Sequence, residues 1–480
     1  MIGGQAPSDE LRDESLSACR ETRRAHLVGI AGSGMRALAE VLLGRGWLLS
    51  GSDLEVQRVA HLATDRLWLC RGHAAEHLAQ DTDLVVYSDA VPADNPELRR
   101  AAELGLPAVS YFQMLGRLMS ERRGLAVAGA HGKSTATAMA AEVLVRAGLD
   151  PTVLCGATPL GHCSGGRAGN GPLMLVEACE YRANFLHLRP KHAVILGIEP
   201  DHFDCYDSAE ALEDAFAQFA QSVPSDGLLL ARYDCPATQR VIGGLACRVE
   251  TFGIDRRADW SAQGLIARSG CYTFDVARRG RRFCGVNLHV PGRHNVLNAL
   301  AAAALASENG VAADRIAEAL GQFRGLHRRL EILGTFGGVL LLDDYAHHPT
   351  EVAASLTTVR QLAPGRRVWC VFQPHQVSRT EHLLGELAAS LQNADRVLVA
   401  EIFRAREGPP RPGEVTAADL ARAVRRGGVE VPECHTLEEI ARLLKTRLVP
   451  GDVLVTMGAG DVWKVCDGWI EGTGHRPVAA

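Results

Sequence analysis

Leu125-Ala126-Val127-Ala128-Gly129-Ala130-His131-Gly132-Lys133-Ser134-Thr135 runs from an apolar stretch into a glycine-bounded turn and closes on Lys-Ser. Residues 125–128 read as a buried strand, and the Ala-rich residues 136–147 read as the helix that follows. A strand, a G-x-x-G-K-S turn and a helix place backbone N–H groups around phosphates. The lysine can reach their outer oxygens, and the Ser134 hydroxyl can ligate Mg²⁺. The full phosphate-loop pattern has a glycine where Val127 stands, so this is a shortened variant.

Outward from this loop the whole chain alternates short apolar runs with Ala- and Leu-rich helical stretches, which predicts α/β folding around parallel sheets. Its 480 residues suggest about three domains. Residues 1–24 read as a polar, frayed tail. The charged stretch 120–124 closes a first unit at 25–120. An Ala-rich helix ending near Gly325 closes a second at 121–325, and a hairpin around Gly337-Gly338 opens a third at 326–480. Residues 164–171 read as a mobile Gly-rich loop.

A net charge of −5 offers no basic field for nucleic acid, and 47 % hydrophobic with 22 % charged residues argues against wholesale disorder. No apolar run suggests a membrane span, and the acidic start does not read as a secretory signal, so a cytoplasmic location is expected. Thirteen cysteines lie scattered with no C-x-x-C pair, which predicts buried reduced thiols rather than a metal or disulfide framework.

A second glycine turn, His26-Leu27-Val28-Gly29-Ile30-Ala31-Gly32-Ser33-Gly34-Met35, also joins a strand to a helix. Asp53 closes the next strand about 20 residues later, where an acid can meet ribose hydroxyls. The spacing is G-x-x-G-x-G, which leaves NAD and a UDP-sugar both open. Two further strand ends carry Glu177-Ala178-Cys179-Glu180 and Glu199-Pro200-Asp201-His202-Phe203-Asp204, where carboxylates and an imidazole suit Mg²⁺.

Longer segments make the resemblance specific: Pro291-Gly292-Arg293-His294-Asn295-Val296-Leu297-Asn298-Ala299, Asp343-Asp344-Tyr345-Ala346-His347-His348-Pro349-Thr350-Glu351-Val352, Phe372-Gln373-Pro374-His375 and Gly458-Ala459-Gly460-Asp461. With the two glycine turns, they are similar to the Mur ligases, in family order. The resemblance implies a Rossmann-like UDP-binding domain, a central ATPase-type α/β domain and a C-terminal Rossmann-like α/β domain. It implies ATP-dependent joining of L-alanine to the lactyl carboxylate of UDP-N-acetylmuramate through an acyl phosphate, in peptidoglycan precursor synthesis, by a monomer or weak dimer. Peptide recycling onto the same sugar nucleotide, or UDP-sugar binding without catalysis, are the alternatives.

By the same resemblance, Gly32, Ser33, Gly34, Met35, Asp53 and Ser88 hold the UDP-sugar. Gly129, Ala130, His131, Gly132, Lys133, Ser134, Thr135, His294, Asn295, Asn298, Arg328 and Asp344 hold ATP, and Ser134, Glu177 and His202 hold Mg²⁺. Tyr345, His347, His375 and Arg379 lie near the muramyl and alanine groups, and Lys133, His202, Arg328, Arg329 and His347 are the candidate catalytic groups. Pro349 and Glu351 after the two histidines also read as a helix entry. The chain departs from the family pattern at Asp89, Cys179, Arg182, Gly197 and Gln376, losing two carboxylates, an amide and a fixed charge. Those losses bear on amino-acid selectivity.

Overall fold

The computed structural model describes residues 23–405 and 407–472. The expected tail at 1–24 therefore lies almost wholly outside the described residues. Three sheets follow one another along the chain. In the first, the central strand Arg24–Val28 pairs in parallel with Leu48–Asp53 and Leu84–Tyr87, and Leu67–Arg71 and Ala108–Ser110 form the edges. The strand order reverses beside Arg24–Val28, so its glycine turn opens where α/β sheets collect ligands.

The second sheet has ten strands. Its centre, Arg123–Ala128, lies between Leu173–Glu177 and His192–Ile195, all parallel. The chemistry-bearing strand ends at Ala128, Glu177 and Ile195 therefore share one edge. The far side carries antiparallel Trp260–Arg268, Cys271–Arg278 and Arg281–Leu288. In the third sheet Glu331–Phe336 and Val339–Asp344 form the expected hairpin around Gly337-Gly338. Val453–Met457, Val368–Phe372 and Arg396–Val399 extend it in parallel.

The helices Lys133–Arg146, Arg293–Glu308 and Ala313–Gln322 cover one face of the second sheet in a single apolar cluster. Eleven of the sixteen residues of Arg293–Glu308 are buried, so it reads apolar all round; its alanines let it lie close against Lys133–Arg146. The other face shares one continuous core with the first sheet, where Phe112, Leu115 and Leu118 join Phe185 and Leu188. The third sheet keeps two cores of its own. Its contacts with the second sheet described below are mostly polar.

Four local readings need correction. The loop helix begins at Lys133 rather than 136, because Gly132 at φ 78 turns the chain straight into it. The Ala-rich helix stops at Glu308, ahead of Gly310 at φ 84, and a separate helix runs to Gln322. The strand expected to run up to Glu199 stops at Ile195; two residues on, Gly197 at φ 142 breaks the extended run. Residues 164–171 are a packed edge. Gly166–Arg167 pairs with Thr152–Leu154, and a Cβ at Gly165, Gly166, Gly169 or Gly171 would collide with neighbouring backbone. Those glycines serve close approach, and Thr152, Asp150 and Glu40 hold the segment by hydrogen bonds.

Of the twelve described cysteines, all free, seven are buried. No helix among the described residues is long and apolar enough to cross a membrane.

Candidate active site

The phosphate loop sits at the carboxyl end of Arg123–Ala128. A Cβ at Gly132 would fall 2.5 Å from Asn298 Oδ1, so glycine there lets the loop meet the helix Arg293–Glu308. No side chain caps the helix Lys133–Arg146 and no acid occupies its first turn, which leaves its positive end for an anion. Lys133 Nζ donates to Gly129 O at 2.7 Å, Ala130 O at 3.1 Å and Glu180 Oε1 at 2.9 Å. Burial opposes its charge, but Glu180 outweighs burial and keeps the ammonium protonated.

Ser134 Oγ donates to Glu177 Oε1 at 2.9 Å, and Gly156 N–H donates to Glu177 Oε2 at 2.7 Å. The structure thus joins two of the expected Mg²⁺ ligands directly. It pairs the third, His202, with Glu180 instead: Nε2 lies 3.1 Å from Glu180 Oε1. Glu180 Oε2 is buried without a hydrogen-bond partner. A hydroxyl and two carboxylates, one of them with an orphaned oxygen, are the kind of oxygen donors a hard divalent cation takes. Glu180 was quoted from sequence but given no role.

Between the second and third sheets lies a cavity of about 320 Å³ lined by His131, Gly132, Thr135, Asn295, Asn298, Arg329 and Asp344 among others. Arg232 and Phe323, for which sequence reading found no role, also line it, as does Glu351, which it placed only in a helix entry. His294 lines it too; burial pushes its imidazole down to about 4, so the ring is neutral. Asn295 and Asn298 have bland duties as well: Asn295 Nδ2 donates to Pro291 O at 2.7 Å and Asn298 Nδ2 to Asn295 Oδ1 at 2.9 Å. Burial raises Asp344 to about 6 even though the Ser355 hydroxyl donates to it.

The adjacent arginines part company. Arg328, at φ 58, turns inward: Nε donates to Asp343 at 3.0 Å, and its two terminal nitrogens donate to Gly460 O and Gly458 O. Arg329 faces the cavity, with Glu351 at 3.9 Å. Of the two arginines expected at the phosphates, Arg329 faces the cavity, while the Arg328 guanidinium bonds a buried aspartate and two backbone carbonyls.

In the first sheet, the helix Ser33–Gly44 begins at Gly32 with no side-chain cap and no acid in its first turn. Met35 is buried. Asp53 accepts from Ala31 N–H and Glu55 N–H, both at 2.9 Å, so it holds the turn in shape. Ser88 packs against Gly29, and Gly34 admits Tyr111, whose ring carbon lies 2.9 Å from where a Cβ would stand. This tyrosine leads the helix Tyr111–Ser120 toward Glu177, which helps raise its hydroxyl after burial does.

Rings of Tyr345, His347, His375 and Phe403 follow one another at centroid spacings of 5.7, 5.6 and 5.9 Å. Burial lowers His347 to about 4. Arg379 Nε donates to Asp201 at 2.7 Å, a buried pair linking the third sheet to the loop beside His202, and Nη1 meets His375 Nδ1 at 2.9 Å. Burial raises Asp201, but Arg379 outweighs it and holds the carboxyl below the usual range.

The departures have local structural duties. Asp89 accepts from Asn184 Nδ2 at 2.7 Å, across the first and second sheets. Burial and Glu180 push the Cys179 thiol up to about 12. Arg182 stacks over Tyr181. Gly197 O accepts from Ala130 N–H at 2.9 Å, and Gln376, at φ 68, leads into the helix Val377–His382.

Three consecutive matches cover the chain: the Mur ligase family catalytic domain at residues 24–123, the Mur ligase middle domain at 127–306, and the Mur ligase glutamate ligase domain at 328–460. The chain belongs to the Mur ligase family. A UDP-N-acetylmuramate–L-alanine ligase of Salinibacter ruber is 41 % identical over 466 residues, covering 96 % of this chain and 97 % of that protein. The ligase of that name from Clostridium novyi is 40 % identical, covering 94 % and 97 %. A crystal structure of UDP-N-acetylmuramate–alanine ligase from Thermotoga maritima superposes with a TM-score of 0.79 at 29 % identity, covering 94 % and 98 %. A murein peptide ligase from Psychrobacter arcticus does so at 0.70 and 26 %, covering 95 % and 100 %.

Proposed function

We propose that the chain joins L-alanine to the lactyl carboxylate of UDP-N-acetylmuramate at the expense of ATP, as a cytoplasmic step of peptidoglycan precursor synthesis. The observation that carries this reading is the cavity walled by Gly132 and Asn298 on one side and Arg329 and Asp344 on the other. A nucleotide there has its phosphates at the Lys133 loop and is enclosed by two domains. The residue assignment divides the chain into a UDP-sugar domain at 25–120, an ATP domain at 121–325 and a closing amino-acid domain at 326–480.

The lactyl carboxylate attacks the γ-phosphorus of ATP and ADP leaves; the alanine amine then attacks the acyl carbon, and phosphate and a proton leave. Both partners of the first step are anions, so positioning and charge neutralisation dominate the barrier. Lys133 leaves its loop carbonyls for phosphate oxygens, and Arg329 adds a forked positive group from the opposite wall. Ser134, Glu177 and the His202–Glu180 pair would hold Mg²⁺, which supplies further positive charge to the phosphates. The uncapped helix end at Gly32 receives the UDP pyrophosphate. His347, His375 and Arg379 orient the muramyl and alanine groups, and closure of the third domain excludes the water that would hydrolyse an acyl phosphate.

Phosphate release is the test, with ATP, Mg²⁺ and UDP-N-acetylmuramate plus L-alanine, L-serine, glycine or a tripeptide. Release requiring the sugar nucleotide and L-alanine together is expected. Release with the tripeptide alone moves the chain to peptide recycling; the Psychrobacter arcticus neighbour is named a murein peptide ligase. Silence throughout, with UDP-sugar binding retained, makes it a non-catalytic relative.

A further inference from the structure

At the seam between the phosphate loop and the helix Pro349–Leu362, three donors converge whose side chains the reaction above does not use. His131 Nε2 lies 3.3 Å from Glu199 Oε2, and His348 Nδ1 lies 3.8 Å from the same oxygen. The three ligand atoms all fall within 4.8 Å of one another. Donors about 2.0–2.1 Å from a tetrahedral zinc stand about 3.4 Å apart. The group therefore needs small adjustments to close on such an ion.

What surrounds the donors matters as much. The second nitrogen of His131, Nδ1, faces Glu351 Oε1 at 3.2 Å, and the second nitrogen of His348, Nε2, faces the Pro200 carbonyl at 3.3 Å. Both partners only accept hydrogen bonds, so each ring keeps a proton on that side; against burial, Glu351 and Glu199 raise His131 to about 9, so an ion binding here takes the place of the proton that Nε2 holds toward Glu199. Carboxylate and carbonyl partners of this kind fix metal-binding histidines in the ligating tautomer. Thr350 Oγ1 donates to Glu199 Oε2 at 2.6 Å and orients the carboxylate. The one competitor at a ligand nitrogen, Thr350 N–H to His348 Nδ1, is long at 3.4 Å.

We propose that His131, Glu199 and His348 form a transition-metal site of the zinc type, separate from the oxygen-rich Ser134–Glu177 pair, with a position open to water. Two imidazoles and one carboxylate select zinc, cobalt or nickel over Mg²⁺. Two ligands come from the second-sheet domain and one from the third, so a bound ion ties the domains across the nucleotide cavity. It holds that cavity shut, and micromolar zinc slows turnover by blocking nucleotide exchange.

Cobalt titration of the full chain, with Mg²⁺ saturating and nucleotide absent, tests this directly. One equivalent of Co²⁺ is expected to give visible bands of four- or five-coordinate geometry without thiolate charge-transfer absorption. Glu199→Gln and His348→Ala should each weaken it at least tenfold and relieve zinc inhibition by a similar factor. Glu199 lies in a loop, so its variant stands if loss of the His348 cap disturbs folding. No cobalt uptake, uptake fully displaced by Mg²⁺, or bands unchanged in both variants would overturn the assignment.

Discussion

Arg379→Ala puts the closing contact of the site to a quantitative test. The guanidinium and its partner Asp201 are 4 % and 7 % exposed and belong to different domains. Removing one member of a buried pair costs about 3–5 kcal/mol when the other stays buried. Here the chain has a cheaper escape, since opening the domain seam hydrates Asp201, which otherwise retains only the His202 N–H at 2.7 Å. The loss therefore falls on closure rather than folding. At about 3 kcal/mol it shifts the open–closed equilibrium by a factor on the order of 100. Kinetics should show kcat/KM for the amino acid down by about that factor, with the thermal transition little changed. Hydrogen exchange should rise in 199–206 and 377–382. Asp201→Asn separates closure from direct substrate contact, because it keeps Arg379 in place. Measured by a double-mutant cycle, the two substitutions should couple by about 1–3 kcal/mol. Turnover within threefold of wild type in both variants, with exchange unaltered, would refute the reasoning.

Four further substitutions have expected outcomes of their own. Lys133→Ala should abolish ADP formation while leaving UDP-sugar affinity within twofold, measured by calorimetry, because the two sites lie on different sheets. Arg329→Ala should cut turnover by at least about 100-fold at unchanged stability. Arg328→Ala should instead lower stability by about 3 kcal/mol in urea, because it strands buried Asp343. In the first domain, Glu97 is fully enclosed by Ser52, His73 and His77, with His26 beside it. Burial pushes it up, but His26, Ser52 and His73 prevail and hold it at about 2 against an ordinary 4.5. That is roughly 3 kcal/mol of stability, fully present above pH 4.5 and lost as the pH falls through about 2. Glu97→Gln should flatten this acid dependence, as read from urea midpoints between pH 3 and 7.

What the sequence disclosed and what it hid divide on physical grounds. The phosphate loop and the helix entry at His348-Pro349 were legible because their geometry is set by adjacent residues. Glu351, for instance, completes its capping box three residues past the cap. Glu180 and Asp201 went unassigned because their partners lie far along the chain: Lys133 is 47 residues from Glu180, and Arg379 is 178 from Asp201. Arg328 and Arg329 are neighbours of identical chemistry, and only the left-handed turn at Arg328 sends them to different fates. Glycines at 165–171 carry the same composition whether they loosen a loop or let two backbones touch.

The core that runs unbroken from the first sheet into the second has a consequence for exchange of parts between relatives. A third domain transplanted from another member of the family would have to reproduce a few polar matches, such as those of Arg379 and Thr350. A transplanted first domain would have to refit Phe112, Leu115 and Leu118 against Phe185 and Leu188 at interior packing density. Functional chimeras should therefore be common at the 326 junction and rare at the 121 junction. The amino-acid end of the molecule is thus free to diversify by recombination, while the sugar-nucleotide end is bound to change by slower, compensated point substitution.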